Sequence, residues 1–281
     1  MKHFFMIVVC LFAAFIVVSC ASTSDSSENT GDTIEQSWMF SASDADSVDI
    51  RLYSGSVEVR LWNGQDICVI AESADGKLPS CYINGSTLLC KTNKGGEGRR
   101  CKVTLLVPES FFAEEWKICT DTGRIDASQL WGESCEITTV SGQIQLTKCE
   151  VQDIEVNSVS GKIRAEDLVC SGNGDFSTTS GRIEVSGYIG QADVSTVSGA
   201  VEFDMAYLFA GDSCISTLSG SIKLTLPEND GYTLKYDTLS GAVRDGFASF
   251  QGKGSGTSVY KNGGVTIEVE TLSGAVTIIP R

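Results

Sequence analysis

The sequence predicts an all-β protein: a single-stranded, β-helix-like β-solenoid of repeats about 20 residues long, behind an N-terminal portion rich in β-hairpins. Three observations carry that expectation. Ser-Gly or Thr-Gly recurs with its glycine at 123, 142, 161, 181, 199, 220, 241 and 274, at spacings of 19, 19, 20, 18, 21, 21 and 33 residues. Two positions after each glycine stands a β-branched aliphatic: Ile125, Ile144, Ile163, Ile183, Val201, Ile222, Val243 and Val276. Three positions before it stands a hydroxyl: Thr120, Thr139, Ser158, Thr178, Thr196, Thr217, Thr238 and Thr271.

Each repeat therefore reads as a strand of period two, a break, and a second strand of period two. One repeat has too few strands to close a core, so neighbouring repeats have to stack. About 20 extended residues at ~3.3 Å each make a path of about 65 Å, suited to one solenoid turn, with turns ~4.8 Å apart. The interior falls to the aliphatics after each glycine and to Ile118, Ile137, Val156, Phe176, Val194, Ile215, Tyr236 and Val269, five residues before it. Glycine is expected to give the corner a bulge or a positive φ. The hydroxyl columns are expected to bond one another or the corner backbone. Two residues before each glycine lie Asp121, Val140, Val159, Thr179, Val197, Leu218, Leu239 and Leu272, which strict alternation puts outside. Large exposed apolar patches are rare without a partner, so the corner is expected to turn this column inward.

The N-terminus reads as a processing signal. Lys2 and His3 precede an apolar run from Phe4 to Val18, short for a membrane span but suited to a signal-peptide core. Val17-Val18-Ser19-Cys20 resembles a lipobox, which makes 1–19 a signal peptide and Cys20 the lipidated residue and the contact with the membrane. Residues 20–37 are expected to form the lipidated cysteine and a flexible tether, because 21–33 contains no large apolar side chain.

Residues 38–112 read as the N-terminal β portion, and 113–281 as solenoid repeats continuous with it. Val48–Leu52 and Val57–Leu61 alternate around Ser54-Gly55, an early echo of the repeat, and 67–71, 86–92 and 101–107 read as further strands. Lys94-Gly95-Gly96-Glu97 suits a two-residue hairpin turn, within a basic cluster of Lys91, Lys94, Arg99, Arg100 and Lys102. The glycine-rich run 246–256 breaks the last repeat and reads as a surface loop or hairpin, since no helix follows to make it a phosphate loop.

Charge and cysteine content narrow the function. The net charge is −15, and loss of Lys2 with the signal leaves 20 basic residues against 36 acidic ones. Such a surface repels nucleic acid. Of 11 cysteines, those beyond Cys10 and Cys20 make an odd number, in an exported context that permits disulfides. If Gly95-Gly96 are the turn, Cys90 and Cys101 each sit five residues outside it and face one another. Cys149 and Cys170 come nearly into register on adjacent turns. Cys68 and Cys81, flanking Asp75-Gly76, are a third candidate pair, and Cys135 reads as a small buried hydrophobe. No C-x-x-C pair occurs and the sole histidine, His3, leaves with the signal, so no metal or other cofactor is expected. Neither Asp44–Asp49 nor Gly172–Asp175 completes a calcium loop.

The Thr-x-Ser-Gly-x-Ile/Val repeats and Val103-Thr104-Leu105-Leu106-Val107-Pro108 resemble the putative-adhesin family of bacterial β-strand-repeat proteins, a domain of unknown function, over most of residues 40–281. The resemblance implies a right-handed β-solenoid-like fold on envelope or surface proteins, without established catalytic residues. The expectation is an exported, lipid-anchored binding or scaffold protein of the cell envelope, on the outer membrane or cell surface, with a protein, peptide or polysaccharide ligand. The alternative is a carbohydrate-active β-helix enzyme, for which Glu155, Arg164, Glu166, Arg182, Glu184 and Glu202 near the glycines are the candidate acids and bases.

Overall fold

A computed structural model describes residues 33–74, 76–92 and 101–281. The signal segment, Cys20 and the Gly95-Gly96 turn lie outside the described residues. Apart from one short 3-10 turn, Ala42–Asp44, the regular structure of the described residues is entirely strand. In chain order the first strands are β1 Ile34–Phe40, β2 Ser47–Trp62, β3 Ile67–Ser73, β4 Ser80–Asn84, β5 Thr87–Lys91, β6 Cys101–Pro108 and β7 Ala113–Thr122. Next come β8 Ile125–Ser128, β9 Trp131–Thr139, β10 Ile144–Thr147, β11 Glu150–Ser158, β12 Ile163–Thr178 and β13 Ile183–Thr196. The last are β14 Val201–Met205, β15 Ser213–Thr217, β16 Ile222–Leu226, β17 Gly231–Asp245, β18 Phe250–Lys261, β19 Thr266–Thr271 and β20 Val276–Pro280. No described helix is long and apolar enough to cross a membrane.

Two parallel ladders form the body. The first holds the segments that precede each Ser-Gly corner, in the register Ile50, Ile118, Ile137, Val156, Phe176, Val194, Ile215, Val269, Tyr236. The second holds the segments that follow the corner: Val103, Val57, Ile125, Ile144, Ile163, Ile183, Val201, Ile222, Val276, Val243. The predicted aliphatics after the glycines are all buried, none more than 1% exposed. Each then stacks on an identical or near-identical side chain one turn away, and at ~25 cal/mol per Å² of apolar surface buried this continuous column is the main stabilising term.

Long strands pass through both ladders. The pairings β2–β7–β9–β11–β12–β10–β8–β2 accordingly close on themselves, a ring of seven parallel strands.

Chain order and spatial order part company at the C-terminus. β19 pairs with β15 on one side and β17 on the other, and β20 lies likewise between β16 and β17. The last repeat is thus inserted beneath the one that precedes it in sequence. The glycine-rich run is a hairpin: β18 returns antiparallel along β17 and covers this end. At the other end β3 lies antiparallel on β6, β1 on β3, and β4 on β5. β1 begins at Ile34.

The corner glycines act differently from expectation. Of Gly55 and the eight repeat glycines, only Gly55 and Gly123 have positive φ. A Cβ on Gly142, Gly161, Gly181, Gly199, Gly220, Gly241 or Gly274 would collide with the carbonyl oxygen of the neighbouring turn's glycine. Close backbone stacking, and not a left-handed corner, excludes side chains there. The left-handed conformation appears at the other corner, at Gln129, Lys148 and Asp167, with φ of 58°, 55° and 54°, and at Gly187.

Candidate functional site

The corner chemistry decides which side chains face out. At six of the eight corners the buried hydroxyl three residues before the glycine accepts the glycine N–H. Thr139 bonds Gly142 at 3.0 Å, Ser158 Gly161 at 2.8 Å, Thr178 Gly181 at 3.0 Å, Thr196 Gly199 at 3.0 Å, Thr217 Gly220 at 2.9 Å and Thr238 Gly241 at 2.7 Å. This is the corner-backbone role expected of the column. With the hydroxyl filling the inside of the corner, the next residue has to point away.

That next residue is the aliphatic column expected to turn inward, and the expectation fails. Val140, Val159, Val197, Leu218 and Leu272 are 41–51% exposed, and Leu239 is 77% exposed. Backbone hydrogen bonds put them in spatial order. Val140 N–H bonds Asp121, Ser160 bonds Val140, Thr179 bonds Val159, Ser198 bonds Thr179, Ser219 bonds Val197, Ser273 bonds Leu218 and Ser240 bonds Leu272. The result is one aliphatic ridge, broken once by Thr179, running along the corner.

Two further outward columns flank the ridge on the first ladder. Asn157, Ser177, Ser195 and Ser216 form a polar row, with the Ser177 hydroxyl donating to Asn157 Oδ1. Beyond it Glu155, Asp175 and Asp193 stand in register on successive turns, continued by Cys214 and Glu268. Partial burial, then the Asp193 and Glu155 carboxylates on either side, push the Asp175 carboxyl up to about 6. An apolar ridge beside a row of like-charged acids can bind; it brings no nucleophile and base together.

The enzyme candidates are dispersed. Glu155 accepts from Asn157 at 2.6 Å on the first ladder, whereas Arg164, Glu166, Arg182, Glu184 and Glu202 line the outside of the second. Glu184 meets Lys162 at 2.6 Å, Arg182 at 3.5 Å and Arg164 at 3.8 Å. Burial alone would raise its pKa, but the Lys162 hydrogen bond and the three positive charges hold it below the usual carboxylate range. Glu166 pairs with Arg164 at 2.5 Å, and Glu202 with Lys223. Glu184, held ionised by its three cationic neighbours, is unsuited to donate a proton.

The other sequence-derived sites fall as follows. Lys91 and Lys102 are ion-paired with Asp49 and Glu58, and the rest of the basic cluster lies outside the described residues. Asp49 is also held by Arg51 at 2.7 Å. Among the described residues no group of three or more His, Cys, Asp or Glu side chains could hold a metal ion.

Cys90 and Cys101 do not face one another across a hairpin. β5 and β6 both run parallel to β2, where Cys90 stands against Ile50 and Cys101 against Gly55. Cys149 and Cys170 miss register, because Cys170 lies opposite Val151. Their thiols turn to different backbone carbonyls, Cys149 toward Ala127 and Thr147, Cys170 toward Gln152 and Asn173. Cys68 pairs with Met39 and Leu106, away from Cys81. Cys135 is buried in the column at 3% exposure, as expected.

The cross-strand neighbour of Cys90 is Cys81. The signal for this pair was in the sequence: Gly85-Ser86 suits a two-residue hairpin turn with glycine first, and Cys81 and Cys90 lie symmetrically about it.

The family described as Toastrack DUF4097 matches residues 84–279. No curated protein matches the chain. Among solved structures, a putative lipid binding protein from Parabacteroides distasonis is similar at TM-score 0.56 and 15% identity, over 89% of this chain and 97% of that one. A putative adhesin from the same organism is similar at TM-score 0.54 and 13% identity, over 89% and 98%. At these identities the similarity concerns the fold.

Proposed function

The chain belongs to the Toastrack DUF4097 family, and on that premise we propose that it is a non-catalytic binding or scaffold protein of the cell envelope, adhesin-like, that engages its partner through the aliphatic ridge. The observation that carries this reading is the ridge itself: Val140, Val159, Val197, Leu218, Leu272 and Leu239 exposed in line on a regular scaffold. Folding leaves a contiguous apolar stripe exposed at a cost in solubility, and a partner that covers it offsets that cost. The partner class is a protein, peptide or polysaccharide with an apolar face. The net charge of −15 disfavours nucleic acid.

The remaining parts of the reading rest on sequence. Residues 1–19 are the signal peptide, Cys20 carries the lipid, a tether leads to β1, and the body acts as a single-stranded solenoid whose register supports one repeat per turn. The Val17-Val18-Ser19-Cys20 sequence supports export and lipid anchoring, with the outer membrane or cell surface as the proposed location.

One experiment separates anchor from ridge. Isolated envelopes are washed after expression of wild type, Cys20→Ser, and Cys20→Ser combined with Val159→Ser, Val197→Ser and Leu218→Ser. The expected outcome is that Cys20→Ser loses labelling by radioactive palmitate yet remains partly envelope-bound, and that the combined variant is released with its melting temperature kept. Equal retention of the two mutants overturns the ridge as the binding surface. Unchanged palmitate labelling of Cys20→Ser overturns the anchor.

A further inference from the structure

We infer that Cys81 and Cys90 form a cross-strand disulfide that closes the N-terminal end of the stack, and that this bond, not one between Cys90 and Cys101, is what the fold makes on oxidation. The geometry begins at the turn. β4 and β5 are joined by Gly85 and Ser86, with Gly85 at φ 62°, the conformation a two-residue hairpin with glycine first requires. Register then runs Asn84 with Thr87, Ile83 with Leu88, Tyr82 with Leu89 and Cys81 with Cys90. The pair flanking a two-residue turn is the hydrogen-bonded one, so alternation makes Cys81 and Cys90 a non-hydrogen-bonded pair. Such pairs have Cα atoms about 4.5 Å apart and their side chains on one face, inside the range that a disulfide spans. The two Sγ atoms are 2.7 Å apart.

Position gives the bond a purpose. Cys90 is the residue of β5 that stacks on Ile50, so it starts the interior column of the first ladder, and it is fully buried. Among the described residues, β4 pairs with β5 alone. A covalent rung there fixes the capping hairpin against fraying of an otherwise open edge.

The chemistry is thiol–disulfide exchange. The thiolate of one cysteine attacks a sulfur of an oxidant disulfide, either oxidised glutathione or the disulfide of an envelope oxidase. That forms a mixed disulfide and expels one thiolate. The second cysteine's sulfur then attacks its partner's and expels the remaining thiolate. The cysteine pair loses two electrons and two protons, and the oxidant leaves as two thiols. Burial, with the hydrogen bond and charge of Cys90, drives the Cys81 thiol well above its ordinary pKa. The closed core therefore suppresses the thiolate, so the bond forms as the hairpin folds and before the stack closes over it.

The placement of this bond in the cell rests on the export reading; the pairing itself does not. Trypsin cuts after Lys77 and Lys91, so residues 78–91 leave as one peptide that carries both cysteines and no third. The full chain is purified from envelopes, and a second sample is unfolded, reduced and refolded with oxidised glutathione. Both are alkylated in denaturant, digested and weighed before and after reduction. The expected result is a 78–91 peptide that takes no alkyl group until it is reduced, and a melting temperature about 5 °C lower with reductant. In Cys81→Ser the Cys90 thiol becomes alkylatable without reduction. A bond in the refolded sample alone supports the pairing and overturns the oxidising compartment. Two alkylated thiols in both samples, or a peptide joining Cys90 to Cys101, overturns the proposal.

Discussion

Gly161 sits so close beneath Gly142 that a single methyl group on it would overlap the Gly142 carbonyl oxygen. The contact repeats up the stack, and it explains why glycine holds these corners even where φ would admit other residues. Gly161→Ala is expected to force two turns apart and destabilise the protein by about 2–3 kcal/mol, read as a lower denaturant midpoint. Gly85→Ala faces open space, so its cost is limited to the strain of a positive φ. If Gly161→Ala is the milder of the two, steric stacking is not what keeps the corner glycine.

The hydroxyl beside that corner is expected to matter through one bond. Thr178→Val keeps shape but leaves the buried Gly181 N–H without its acceptor, at a cost of about 1–3 kcal/mol. Thr178→Ser should be nearly neutral, because Ser158 makes the same bond to Gly161 one turn away. Thermal melts of the two variants side by side check this. Equal losses would mean the methyl group, not the hydroxyl, holds the corner.

Ile163→Asp probes the interior register. Ile163 stacks between Ile144 and Ile183 and is 0% exposed, so a carboxylate there would be unpaired in an apolar column. The expected destabilisation is several kcal/mol, about 4 or more. Melting within a degree or two of wild type would contradict the burial of the whole column.

The column around Ile163 was legible in the sequence because its determinants are local: period two, β-branching and a fixed offset from glycine survive any choice of topology. What escaped were features set by non-local pairing. The outward turn of Val159 depends on Ser158 taking the inside of the corner, which a simple alternation rule cannot decide. The insertion of β19 and β20 between earlier turns leaves no mark in spacing beyond the gap from 241 to 274, which also fits a simple loop. The acidic row of Glu155, Asp175 and Asp193 could have been aligned from the repeat, since each lies six residues before its glycine. Cys81 faces Cys90 because the chain turns at Gly85-Ser86, a dipeptide whose signal competes with that of Gly95-Gly96.

That acidic row gives the protein a pH dependence whose sign is fixed. Asp175 has a folded-state pKa of about 6, above the ~3.9 of an unfolded aspartate, so the fold favours its protonated form. Its contribution to stability is fully present below about pH 4 and is lost as pH rises through about 6, because the unfolded chain then ionises more readily than the folded one. Asp175→Asn removes both the charge and its repulsion with Glu155 and Asp193. The variant should melt close to wild type at pH 4 and above it at pH 7. Because Asp175 remains exposed, salt should screen the repulsion and narrow the difference. Melting curves at pH 4, 5, 6 and 7, each at low and high salt, test this. A gap between Asn variant and wild type that stays constant across that range would show that neither burial nor the neighbouring carboxylates raise the Asp175 pKa.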